Sequence, residues 1–199
     1  MSINLEKRKP LNLSKAAGPS GLTSVIMGLG WDRREQKASG GFFHRTKALA
    51  QGDIDLDANA ILMSAGRVVD KVNYSHLRSH DGSVQHSGDN LTGAGAGDDE
   101  QIRVDLTQVP AAVDTILFTV TSYRGDTFDQ VQNAFVRAVN GSNNQELARY
   151  DLGAGDYTRN TGQIMATLKR RGPEWELVAI GEGADGKTVN DHLTAATRY

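Results

Sequence analysis

Asp53-Ile54-Asp55-Leu56-Asp57-Ala58-Asn59-Ala60-Ile61-Leu62-Met63 alternates polar and apolar residues before running into an apolar stretch. A period of two is that of a β-strand, in which successive side chains point to opposite faces. Asp53, Asp55, Asp57 and Asn59 then share one face, and Ile54, Leu56 and Ala58 the other. Three carboxylates along one strand face repel unless they are fully solvated or line a cation site. The spacing is not that of an EF-hand loop, because the sixth position from Asp53 is Ala58 and the twelfth is Ser64.

Further segments of the same kind lie on both sides. Ile3–Leu5 and Leu11–Leu13 alternate around Pro10, and Leu22–Trp31 reads as a buried strand after the Gly18-Pro19-Ser20-Gly21 turn. Downstream, strands are expected at 67–74, 102–106, 115–123, 130–140, 146–152, 163–170 and 174–181, each bounded by glycine, proline or Asn-Gly. Residues 186–199 are expected to form a short terminal helix. About ten evenly spaced strands with almost no helix predict an all-β fold, a sandwich of two antiparallel sheets. The 199 residues suit one domain over 1–199, with a flexible insertion at 33–52 that carries Gly40-Gly41-Phe42-Phe43. The phenylalanine pair is expected to fold back on the core rather than dock a partner or membrane surface.

The longest interruption is Asp81–Glu100, Asp-Gly-Ser-Val-Gln-His-Ser-Gly-Asp-Asn-Leu-Thr-Gly-Ala-Gly-Ala-Gly-Asp-Asp-Glu. That glycine content disfavours regular structure and predicts a loop. From Asp81 to Asp105 there are six acids and one base, Arg103, whereas Arg33–Lys47 holds five bases and one acid. Crowded carboxylates on a flexible backbone, in a chain with no cysteine, point to calcium rather than zinc or copper. The same residue types also make plain solvated turns. His76, His80 and His86 lie close in sequence, but their spacing matches no common zinc pattern.

A formal net charge of −2 gives no general attraction to nucleic acid or anionic membrane. Without cysteine there is neither a disulfide nor thiolate chemistry, as in a cytosolic protein. Neither a secretory leader nor an apolar run long enough to cross a bilayer is visible, so direct membrane insertion is not expected.

Several of these pieces together resemble the tellurium-resistance TerD family of bacterial stress proteins. They are Gly28-Leu-Gly-Trp-Asp32, Asp53-Ile-Asp-Leu-Asp-Ala58, His86-Ser-Gly-Asp-Asn-Leu-Thr-Gly93, Gly97-Asp-Asp-Glu100, Val131-Gln-Asn-Ala-Phe135 and Glu146-Leu-Ala-Arg-Tyr150. The glycine-bearing insertion and Ser122-Tyr-Arg-Gly125 are most similar to the TerZ branch. The resemblance implies a calcium-binding β-sandwich without catalytic activity, tied to tellurite and other chemical stress and to phage and colicin resistance. It also implies assemblies with other Ter-family proteins, including a membrane-embedded one, and so a cytoplasmic chain held at the inner membrane through partners. Relatives commonly carry acids at the positions of Ala94 and Ala96, where this chain has alanine.

Calcium takes about six to eight oxygens. The expected ligands are Asp55 and Asp57 from the strand, with Asp89, Asn90, Leu91, Gly93, Asp98, Asp99 and Glu100 from the loop, the glycine-bearing backbone supplying carbonyls. This many acids calls for two adjacent Ca2+ ions, without which the loop is expected to be disordered. Asp32, Asp53 and Asp81 are weaker candidates. The alternative is a metal-dependent phosphoryl or glycosyl hydrolase built on the acidic cluster. No nucleophile–base pair, phosphate-cradling motif or loop cation speaks for it. A third reading makes the metal purely structural and places partner binding at Arg33–Lys47.

Overall fold

In the computed structural model, residues 2–19, 21–33, 54–88 and 97–199 are described. Two six-stranded sheets pack face to face as a sandwich. The first sheet has the order β1-β10-β9-β3-β7-β6, with β1 (Ile3–Asn4), β3 (Ser24–Arg33), β6 (Val84–His86), β7 (Glu100–Asp105), β9 (Val131–Asn140) and β10 (Glu146–Asp151). The second has the order β2-β12-β11-β8-β4-β5, with β2 (Pro10–Asn12), β4 (Asp57–Ser64), β5 (Arg67–Val72), β8 (Thr115–Thr121), β11 (Gly162–Arg171) and β12 (Glu174–Ala184). All the pairings are antiparallel except β1 on β10.

The alternation seen in the sequence sorts residues between two apolar clusters. Val25, Met27, Leu29, Ala58, Ala60, Leu62, Ile102, Val104, Ile116 and Phe118 fill the space between the sheets. Ile61, Met63, Leu117 and Ile164 project from the other face of the second sheet, where Val189, Leu193, Ala196 and Tyr199 cover them. The expected C-terminal helix is thus present as a 3₁₀ turn, Val189–His192, and an α-helical turn, Leu193–Ala196. Its role is to cap an apolar patch that would otherwise face water.

His192 is fully buried in this cap, against Gly162 and Gly186. Burial holds its pKa below 6.5, against the opposing pull of Asp191, the Ala184 carbonyl and Asp185. The unfolded chain therefore takes up this proton before the folded one. The stability linked to neutral His192 is present above the unfolded pKa and lost as pH falls through the folded one. Chemical denaturation between pH 7 and pH 5 is expected to show a loss of stability that is smaller in His192→Gln. Equal losses in both proteins would contradict this assignment.

Three details differ from the sequence reading. Val84–His86 forms a strand inside the stretch expected to be all loop. The β4 strand starts at Asp57, so Ile54–Leu56 approach it without ladder pairing. Strand β3 runs through Arg33, the first residue of the expected insertion. The rest of that insertion, with Phe42 and Phe43, lies outside the described residues, as does most of the glycine-rich loop.

Candidate metal centre

The acids of Gly97-Asp98-Asp99-Glu100 reach three different strands. Asp98 turns toward the outer face of the first sheet. Its carboxylate accepts Arg137 Nε at 2.7 Å and Nη2 at 3.1 Å, and Gln101 Nε2 at 2.9 Å. Arg137 also donates to Glu146 at 3.0 Å, so one guanidinium on β9 serves two carboxylates. Gly28 explains how Asp98 can lie so close to β3, because a Cβ there would overlap the carboxylate. Gly30, two residues on, makes room in the same way for the Phe135 ring and the Gly97 carbonyl. The two glycines of Gly28-Leu-Gly-Trp are thus required by close approach, not by a turn.

Asp99 serves β3. Strand β7 pairs with β3 only as far as Leu29–Glu100. Beyond it the Trp31 N–H would lack a partner, and Asp99 Oδ2 accepts it at 2.7 Å. Burial raises the Asp99 pKa above 3.8. The charges of Asp32, Glu100 and Asp98 add to that, and only the Trp31 N–H opposes it.

Glu100 crosses to the other sheet. Strand β5 pairs with β4 only from Ala60 onward, so that no strand of the described residues flanks Ala58 on that edge of β4. Glu100 Oε2 accepts the Ala58 N–H at 2.5 Å, and His86 Nε2 lies 3.1 Å from the Ala58 carbonyl and 3.3 Å from Glu100 Oε2. The Gly88 N–H donates to His86 Nδ1 at 3.0 Å, which leaves the ring proton on Nε2, facing those oxygens. Both side chains are fully buried. Glu100 and His86 thereby satisfy the main chain of Ala58 at the edge of β4 and tie the sheets together.

These contacts bring the two acidic stretches together. The Trp31 indole donates to the carbonyl of Ile54, next to Asp55, at 3.4 Å, while its main-chain N–H holds Asp99. Ala58, held by Glu100, follows Asp57. Asp55 and Asp57 are not solvated strand acids, since they are 7% and 4% exposed. Arg124 stands 3.4 Å from Asp55. Asn59, on the same face as Asp57, donates to the Asp57 carbonyl and Thr121 Oγ1, both at 3.1 Å. Its own buried Oδ1 has no hydrogen-bond donor among the described residues.

Of the nine expected ligands, Asp55, Asp57, Asp99 and Glu100 are thus linked at one end of the sandwich, whereas Asp98 is turned away to Arg137 on the outer face of the first sheet. Asp89, Asn90, Leu91 and Gly93 lie outside the described residues, as do Asp53, Ala94 and Ala96. The sequence reading did not pick out Arg137, Arg124 or the pairing of His86 with Glu100. The alternation of Val84-Gln85-His86 marks His86 as inward-facing, but nothing local marks Arg137.

The donor set fits a hard cation. It consists of oxygen atoms only, the acids are mostly buried, burial and then neighbouring charges push one carboxyl up, and a buried amide oxygen lacks a donor among the described residues. The described acids do not by themselves place three ligand atoms within coordination distance of one another. A complete shell would need oxygens from 89–96.

The chain is 41% identical to stress response protein SCP2 of Bacillus subtilis (strain 168), covering 98% of each protein. It is 41% identical to tellurium resistance protein TerZ of Serratia marcescens, covering 95% of this chain and 94% of that one. The solved structure of a homologue of telluride resistance protein TerD from Streptomyces coelicolor A3(2) superposes with a TM-score of 0.67 at 24% identity, over 88% of this chain and 98% of that one. That likeness bears on the fold alone. The TerD domain model matches residues 1–193, and the chain belongs to the TerD family.

Proposed function

We propose that this protein is a calcium-binding, non-enzymatic stress protein whose metal centre sets the conformation of one end of the sandwich for assembly with other Ter-family proteins. The supporting observation is the convergence of buried Asp55, Asp57 and Glu100 with half-buried Asp99, joined through Trp31 and Ala58. Asp55, Asp57, Asp99 and Glu100 would hold two Ca2+ ions together with Asp89, Asn90, Leu91 and Gly93. Asp98 would anchor the segment to β9 through Arg137. Bound calcium would supply the positive charge that lets the carboxylates lie together.

Relatives carry resistance and stress-response names rather than enzyme names, which supports a non-catalytic reading. No helix among the described residues is long and apolar enough to cross a membrane. Cytoplasmic residence, contact with a membrane-embedded Ter protein, and phage and colicin resistance belong to the same proposal.

The test is complementation of a bacterial strain deleted for its TerZ- or TerD-type gene and challenged with tellurite. Wild-type protein is expected to restore growth, and Asp55→Ala/Asp57→Ala at equal soluble expression to fail. Equal rescue by the variant would overturn the proposal.

A further inference from the structure

We propose a second metal site, for a divalent transition metal of the zinc class, formed by Asp70, His76 and His80. It is independent of the acidic centre. Asp70 lies on β5, an edge strand of the second sheet, and the two histidines lie on the segment that leaves β5 and crosses to β6 in the first sheet. One ligand atom from each of the three side chains falls within 4.8 Å of the others. His80 Nδ1 is 3.0 Å from Asp70 Oδ2, and His76 Nε2 is 3.9 Å from Asp70 Oδ1. Two ligands about 2.0–2.2 Å from one metal stand roughly 3.0–3.5 Å apart, so small rotations of the two rings would close the set.

Three further features separate this group from a chance cluster. The carboxylate is oriented by main-chain donors, Lys71 N–H to Oδ1 and His80 N–H to Oδ2, both at 2.8 Å. Such outer contacts fix the first-shell ligands of metal sites. The His76 turn is locked, because Asn73 Oδ1 accepts the N–H groups of Ser75 and His76 and the Ser75 hydroxyl. His76 Nε2 is buried without a hydrogen-bond partner, while its ring lies beside that of His80, centroids 5.2 Å apart. The His80 side chain is 82% exposed, which leaves an approach and an open coordination position for water.

Two imidazoles and one carboxylate suit zinc, nickel or copper and are a poor set for calcium. The sequence spacing of the histidines hid this, because the third ligand comes from the strand before them. A metal here would fasten the β5–β6 crossover to β5. It would bind in exchange for the proton that His80 Nδ1 now shares with Asp70.

The experiment is calorimetric titration of Zn2+ into the full chain, chelator-stripped and then saturated with Ca2+, with Co2+ absorption as a second readout. Wild type is expected to bind one equivalent of Zn2+ in the micromolar range or tighter, and Co2+ to give the visible bands of a nitrogen-ligated ion. His80→Gln is expected to weaken Zn2+ by about tenfold or more. His76→Gln/His80→Gln should abolish it while leaving calcium binding unchanged. Unchanged Zn2+ affinity in the double variant, or no Zn2+ binding and a purely aqueous Co2+ spectrum in wild type, would overturn the assignment. The Co2+ spectrum of the wild type decides the matter even if a variant folds poorly.

Discussion

Glu100→Ala is expected to cost about 1–3 kcal/mol of folding stability for the buried donor it strands, and more for the volume it vacates. The expectation rests on what Glu100 leaves behind. The Ala58 N–H loses its acceptor among fully buried side chains, while the His86 Nε2 proton keeps only the Ala58 carbonyl. A buried donor left unsatisfied costs about 1–3 kcal/mol, and the vacated side-chain volume adds to that. A domain of this kind has roughly 5–15 kcal/mol in all, so the variant would lose a large share of its stability. Glu100→Gln keeps an oxygen for the Ala58 N–H and should lose much less. Urea unfolding of the three proteins under chelator checks this. An alanine variant within about 1 kcal/mol of wild type would mean that the sheets do not depend on the Glu100–Ala58–His86 connection.

The second large effect expected from the proposed centre is that of removing calcium. Saturation at a hundred- to a thousandfold above the dissociation constant is expected to add about 3–4 kcal/mol, as follows from binding the folded state alone. For a chain of this length that is a rise in melting temperature of roughly 10 °C. Asp99 gives the effect a sign that can be checked. Its pKa is raised, so in the metal-free folded protein the ionised form is disfavoured at neutral pH. That penalty is relieved as pH falls through the folded pKa. Asp99→Asn keeps an oxygen for the Trp31 N–H and removes the charge. In chelator at pH 7 the variant should melt above wild type, and its gain from calcium should be smaller. A variant that melts lower in chelator and gains as much from calcium would contradict a cation site beside Asp99.

The sandwich was legible because the period of two runs through nearly every strand, and burial on one side enforces it. Ile54, Leu56 and Ala58 are buried, as their alternation with the acids predicts, although Asp55 and Asp57 between them are buried too. Val84–His86 was hidden by its surroundings, since three residues flanked by glycine and serine carry too little pattern to stand out from a loop. Clustering of the acids was legible as composition, but their separate tasks were not. Asp98, Asp99 and Glu100 are consecutive in sequence, yet they serve β9, β3 and β4, which only the closed sandwich brings near one another. Arg137 is one arginine among many until Gly28 opens the space that lets Asp98 reach it. Asp70 gave no signal either, because its histidine partners lie on a turn placed by tertiary structure.

The most direct measurement is calorimetric titration of Ca2+ into chelator-stripped protein, beside Asp55→Asn/Asp57→Asn. The expected result is binding of two equivalents at micromolar affinity or tighter, lost in the variant while its fold and its Zn2+ binding persist. No heat with wild-type protein, or the same isotherm with the variant, would contradict a calcium centre at this end of the sandwich.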